Sequence, residues 1–400
     1  MTDRKYELTQ NNKVLPLVLM AVGVAAVAVG FMTDKTRAWA SLLTNGFYFN
    51  AIALAGTFFV AVNYVAQAGW AVGIKRVAEA MGGFLKFSMA ILIITFLGGH
   101  HDLYHWTHHE LYDPNSPEYD AILAGKSGYL NMTFYIIRLV AYAAIWVGFT
   151  YMLRKNSLQE DINGGLSYYN SSVVVSAIFI VLFAITSSTS GWDLLMSVDS
   201  HWFSTLFGWY TFAGLFVSGM SMMALLTLYL KGRGYMQHVN DNHIHDVGKF
   251  MFAFSVFWTY LWFSQFMLIW YANLPEEVVY YKVRWENFRS LWILNLVINF
   301  IAPFLVLMTR DAKRRFGIVW VAGIIILCGH WLDVFLMVMP GTVGTNWHIG
   351  FIEVGTGLGF LGLFLWSTFR ELSKAALVPK NHPMLPETLH HHICSSTSFI

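Results

Sequence analysis

Apolar residues along this chain neither alternate with polar ones nor keep to one helical face; they run unbroken, ten times over. The runs lie at roughly 14–32, 39–66, 82–99, 129–153, 171–189, 203–230, 248–273, 287–309, 316–339 and 347–369. Each is near the ~20 residues with which an α-helix crosses ~30 Å of hydrocarbon. A barrel strand needs only about ten alternating residues, so strands are excluded. The pattern predicts an all-α integral membrane protein of about ten transmembrane helices, with an N-terminal segment 1–13, a membrane domain 14–373 and a tail 374–400.

The polar residues between runs give the orientation. With the N-terminus cytoplasmic, eighteen of the 25 Lys and Arg fall on that side, and only Lys35, Arg37, Lys126, Lys282 and Arg284 on the other. Arg138 and Arg289 fall inside spans. This positive-inside bias recurs loop by loop and predicts cytoplasmic termini. The first run follows Arg4, Lys5 and Lys13 and precedes Ala38-Trp39-Ala40, an order that a signal peptide also shows. It is longer than a signal-peptide core, and Asp34, Lys35 and Arg37 crowd the site, so it is read as a retained span. The tail from Pro379, with Pro383, Pro386 and His390-His391-His392, is expected to be exposed and poorly ordered, without a metal role.

Composition narrows the chemistry. Residues are 56% hydrophobic and 12% charged, where a soluble domain carries about 25% charged. The two cysteines, Cys328 and Cys394, supply neither a covalent c-type haem motif nor an iron–sulfur ligand set. No cofactor is therefore expected in this chain. The longest extramembrane stretch, about 100–128, is rich in His and acid and includes His100, His101 and Asp102.

Ionisable groups inside spans are costly and mark functional candidates. His330 and Asp333 sit three residues apart in span nine and share a helix face. Glu353 and His348 open span ten without sharing a face, and Arg289 lies in the first turn of span eight with Asn295 and Asn299 deeper. Span five exits through Asp193, Asp199 and His201, and Arg138 lies in span four. All of these fall in the outer half of the membrane, with the cytoplasmic half expected to hold only Gly, Ser, Asn and Gln among its polar residues. A His beside a carboxylate is a proton-handling pair. The bland alternative is that the outer acids pair with Arg138, Lys282, Arg284 and Arg289. Bis-His haem ligation is disfavoured because only His330 is deep.

The segment Trp192-Asp193-Leu194-Leu195-Met196-Ser197-Val198-Asp199-Ser200-His201-Trp202-Phe203-Ser204-Thr205, then Phe207-Gly208-Trp209-Tyr210, resembles the NrfD/polysulfide-reductase membrane-subunit superfamily. Within it the chain looks most like the second NrfD-like membrane subunit of bacterial alternative complex III. Trp270-Tyr271-Ala272-Asn273-Leu274-Pro275-Glu276-Glu277 and the ten-span layout carry the likeness further. The resemblance implies two four-helix bundles, spans two to five and six to nine, flanked by spans one and ten. It also implies a bacterial inner membrane and a quinol-oxidising complex. Partners would be a multihaem cytochrome c, an iron–sulfur protein and an NrfD-like paralogue; the haems and clusters would be carried by subunits other than this chain. Menaquinone or ubiquinone binding by this chain stays open.

Three functions are weighed. The first is proton transfer, with or without a quinone site, at His330, Asp333, Glu353, His348, Asp193, Asp199, His201, Arg289 and Arg138. The second is a scaffold whose polar groups, with His100, His101, Asp102, Glu276 and Glu277, hold partner subunits. The third is an independent transporter, which broken helices at matching positions in two halves would favour; Gly82-Gly83 has no evident counterpart.

Overall fold

A computed structural model describes residues 5–391; Arg4, His392 and Cys394 lie outside the described residues. Ten long apolar helices cross the membrane and are labelled in chain order. They are α1 (Gln10–Thr33), α2 (Lys35–Val65), α3 (Lys75–Leu103), α4 (Met132–Asn163), α5 (Ser167–Val198), α6 (Leu206–Gly232), α7 (Asp241–Ala272), α8 (Arg289–Leu307), α9 (Phe316–Thr342) and α10 (Phe351–Ser373). Among the described residues there is no β-strand beyond a single isolated bridge, Lys5 with Ala376. Backbone polar groups in hydrocarbon must be satisfied within the segment, which leaves the helix as the open choice for such runs.

The helices close into two rings of four. In the first, α2 packs on α3, α3 on α4, α4 on α5 and α5 on α2; in the second, α6, α7, α8 and α9 do the same. Helices α2 and α6 join the rings. Their apolar stretches are 78% and 83% buried against 22% for α1 and α8, which makes them the axis of the molecule. Helix α1 lies outside both rings against α10. The crossing is tight because glycines meet: a Cβ on Gly359 would lie 2.5 Å from the Gly23 Cα. Small residues let helices pack by close van der Waals contact where lipid supplies no hydrophobic drive.

Two prolines shape the second ring. Pro303 has no N–H and would clash with the carbonyl four residues back, and the chain answers with a wide π-turn at Val297–Ile301, where the Ala302 N–H bonds Val297 O. Pro340, in the last turns of α9, leaves the Leu336 carbonyl without its helical donor; the Arg284 Nε–H takes it at 3.1 Å.

Both described ends lie on one face, joined by the Lys5–Ala376 bridge. Contrary to expectation, the described tail is packed. Helix Leu385–Leu389 lies on the turn Gly69–Gly73, and buried Thr388 donates to Trp70 O at 2.8 Å and accepts from the Gly73 N–H at 3.1 Å. Gly69 admits it: a Cβ there would overlap the Glu387 side chain. His391 holds Asp246 of α7 at 2.7 Å.

Candidate functional site

Asp333 lies in the interior of the second ring and is 2% exposed. Each neighbouring helix sends it one neutral donor. Tyr210 of α6 donates to Oδ1, Trp258 Nε1 of α7 to Oδ2 at 3.0 Å, and Asn295 Nδ2 of α8 to Oδ1 at 2.8 Å. Asn299 continues the chain, its Nδ2 donating to Asn295 Oδ1 at 2.6 Å. No Lys or Arg among the described residues pairs with Asp333. Its one charged-type neighbour is His330, Nδ1 to Oδ2 4.0 Å, stacked edge-on against Trp258 at 5.3 Å between centroids. Neither ring nitrogen of His330 has a hydrogen-bond partner among protein atoms, and Asn299 Oδ1 has none. A buried acid held by neutral donors, beside a buried imidazole with free nitrogens, is suited to take and return a proton: Tyr210 can donate to the carboxylate or accept from the acid.

Above Asp333, towards the face away from the chain ends, is a narrow cavity of about 20 Å³, room for about one water. Its walls are aromatic (Tyr210, Trp262, Tyr280, Tyr281, Trp292), and its polar lining is Asp333, Asn295, Gln265 and Arg284. Gln265 Oε1 is buried without a partner. Arg284 forms the far wall, fixed by Leu336 O, Asp199 Oδ2 at 3.1 Å and the Tyr280 ring at 3.3 Å. It comes from the short helix Pro275–Asn287, whose first turn carries Glu276 and Glu277. A second cavity of about 220 Å³ outside Arg284 is lined by Asp199, His201, His105 and Glu276, among others.

The other candidates divide differently from the sequence reading. Asp193 is ion-paired inside the first ring: Arg138 Nε reaches Oδ2 at 2.7 Å and Nη2 reaches Oδ1 at 3.0 Å, while Tyr142 donates to Oδ2 at 2.6 Å. Asp199 pairs with Arg284, and His201 with Asp120 at 2.5 Å. Burial raises the Asp120 carboxyl, but the His201 bond and the Leu123 and Ile122 N–H groups outweigh it and hold the acid below its usual range. Glu353 and His348, expected apart, both meet Arg37: Nη2 to Oε1 is 2.6 Å and Nη1 to His348 Nε2 is 2.8 Å. Arg37 is not a loop residue but sits 6% exposed in the first turn of α2. Arg289 is exposed over the Trp285 ring at 4.5 Å and pairs with no acid among the described residues, so it leaves the site. At the outer end of α3, Asp102 pairs with Lys35 at 2.9 Å, His100 meets Thr107 at 3.4 Å, and His101 stacks on His108 at 3.9 Å.

The expectation that charge is confined to the outer half also fails. Near the face carrying the chain ends, Lys75, Arg76, Glu79 and Glu160 are all buried. Arg154 holds Glu79 at 2.5 Å, Arg76 pairs with Asp161, and Lys75 donates to Tyr64 at 2.7 Å while lying 3.7 Å from Glu160. Hydropathy alone ends the spans before these residues, yet the helices continue through them.

Sequence reasoning missed Tyr210 and Trp258, whose type and position look like ordinary core. The available signal was their place opposite a deep acid on flanking spans. No protein-family model matches this sequence, and no curated protein is significantly similar to it.

Proposed function

We propose that this chain is a membrane subunit of a respiratory quinol-oxidising complex of the alternative complex III type, and that it handles protons at Asp333 and His330. The observation that carries the reading is Asp333 itself, buried in the second ring on three neutral donors, next to an imidazole with both nitrogens free. A structural carboxylate in a membrane interior is expected to have a cation, as Asp193 and Glu353 do. The reading puts the chain in a bacterial inner membrane with its ends in the cytoplasm, in keeping with the distribution of Lys and Arg. Asp333 then lies on the route to the outer face, behind Arg284. The aromatic chamber has room for about one water, and a menaquinol or ubiquinol ring would enter it only by parting its walls. Oxidation of a quinol releases two protons and two electrons; Asp333 and His330 are the bases for the protons, Gln265 Oε1 can accept a hydrogen bond from a quinol hydroxyl, and the electrons would pass to haem and iron–sulfur subunits. His100, His101, Asp102, Glu276 and Glu277 are on the face where those subunits would dock.

The test is purification of the assembled complex with Asp333→Asn or His330→Gln, followed by quinol turnover and proton release. Loss of either activity at unchanged subunit composition supports the reading. Unchanged activity with intact assembly favours the scaffold reading, for which the ion-paired Asp193, Asp199 and Glu353 speak. A chain that purifies alone, without redox partners, overturns both.

A further inference from the structure

A large apolar groove lies outside both rings. It holds about 730 Å³ and runs along the seam between α2 and α6 of the two rings, bounded by α9 and α10. Along α10 it extends from Val354 to Phe369, about 22 Å at 1.5 Å per residue. That is deeper than one leaflet, roughly half of a ~30 Å core. Most of its polar side chains are spoken for within the protein. Tyr48 donates to Leu327 O at 2.7 Å, Trp331 Nε1 to Asn45 Oδ1 at 2.8 Å, and Tyr229 to Asn12 Oδ1 at 2.8 Å. Apart from the Trp320 indole and the Cys328 thiol, the walls therefore offer little to a polar group and much to a hydrocarbon chain.

The mouth on the face of the chain ends is different. It is formed by the Asn12–Tyr229 pair, and the Arg233 guanidinium lies over the Tyr229 ring at 5.5 Å. Lys13 follows Asn12 in the chain. Both cations are exposed, and neither has a carboxylate partner among the described residues. Two uncompensated cations next to the mouth residues of a deep apolar groove, Lys13 beside Asn12 and Arg233 beside Tyr229, match a molecule with an anionic head and long chains. A partner's transmembrane helix is a poorer match. Such contacts use small residues for close approach, whereas this wall is mostly Leu, Ile, Met and aromatic, with Gly357 its one glycine.

We propose that this groove is a binding site for an anionic diacyl phospholipid, its chains along the seam between the rings and its phosphate at Lys13 and Arg233. The lipid fills the joint at which the ring containing Asp333 meets the rest of the molecule. The proposal does not depend on what the protein does.

Cys328 lines the groove and is exposed in it, which provides a probe. In the purified protein carrying Cys394→Ser, with Cys328 as its reporter, reaction with a small apolar maleimide is followed after delipidation and after adding back phosphatidylglycerol. Protection of Cys328 by phosphatidylglycerol, and phospholipid retained through mild-detergent purification, are the expected results. Lys13→Ala with Arg233→Ala should weaken phosphatidylglycerol protection about 30-fold, roughly fivefold per cation removed. Lys13→Arg with Arg233→Lys should keep it. Size-exclusion profiles confirm that the variants remain folded. Equal protection by phosphatidylcholine overturns the charge assignment and with it the proposal. So does labelling indifferent to lipid, or Cys328 shielded by a partner helix that crosslinks to it.

Discussion

Replacing Asp333 by Asn keeps its volume and leaves its neighbours able to adapt. Tyr210 can accept as well as donate, and the amides of Asn295 and Asn299 can reverse, since Asn299 Oδ1 is free. Asp333→Asn should cost about 1 kcal/mol of stability or less while removing the proton site, read as intact melting with lost proton release. Asp193→Asn should behave in the opposite way. It leaves the Arg138 guanidinium in the first ring without its bidentate partner, a loss of roughly 3–5 kcal/mol, seen as a large drop in unfolding temperature before any assay of function. The depth of His330 and Asp333 was legible because polar residues stand out in an apolar run. Their partners were not. Arg37 meets Glu353 from 316 positions away, and spacing along one helix carries no information about such a pair.

Among the helices, run length alone identified the ten spans, and the limits of that signal are physical. Helix α3 begins at Lys75, in a charged stretch that hydropathy assigns to a loop, because a ring interior can pair those charges. Helix α4 carries a pattern the sequence did display: Arg138, Tyr142, Trp146, Thr150 and Arg154 recur every four residues, a stripe that winds about 160° round the helix along its length. Their partners are Asp193, Thr186, Thr57 and Glu79 on the other three helices of the ring. The stripe fastens the first ring from inside. Helix α1 is held on α10 mainly by close approach, with the Tyr229–Asn12 bond to α6 at one end. Gly359→Leu has to push α1 off α10, because even a Cβ there lies 2.5 Å from Gly23. Hydrogen exchange should rise across 10–33 and stay low across α6; uniform exchange would mean that α1 is integral to the rings.

Taking the protein as one body, the described tail ties the chain's end to the turn between α2 and α3 and to α7, so its docking reports on one entire face. His382 is buried there, and burial together with the Lys75 and Arg76 cations depresses its imidazole from 6.5 to about 3. The docked tail thus holds His382 neutral, whereas a released tail would protonate it more readily. Docking should be full above about pH 6.5 and weaken as the pH falls from there towards about 3. Exchange of amides 380–391 compared at about pH 8 and about pH 5 measures this, and His382→Gln should flatten the difference. The π-turn at Val297–Ile301 bears on how such a chain can change over generations. Each residue added to or taken from a regular helix turns what precedes it by about 100°, a rotation that the wide turn absorbs, because its five residues close the arc that four close elsewhere. In-frame loss of a single codon within that turn would therefore leave Asn295 facing Asp333 but set the Pro303 ring against the carbonyl four residues back. Lineages that keep Pro303 should keep the extra residue, and those that lose the proline are free to lose it.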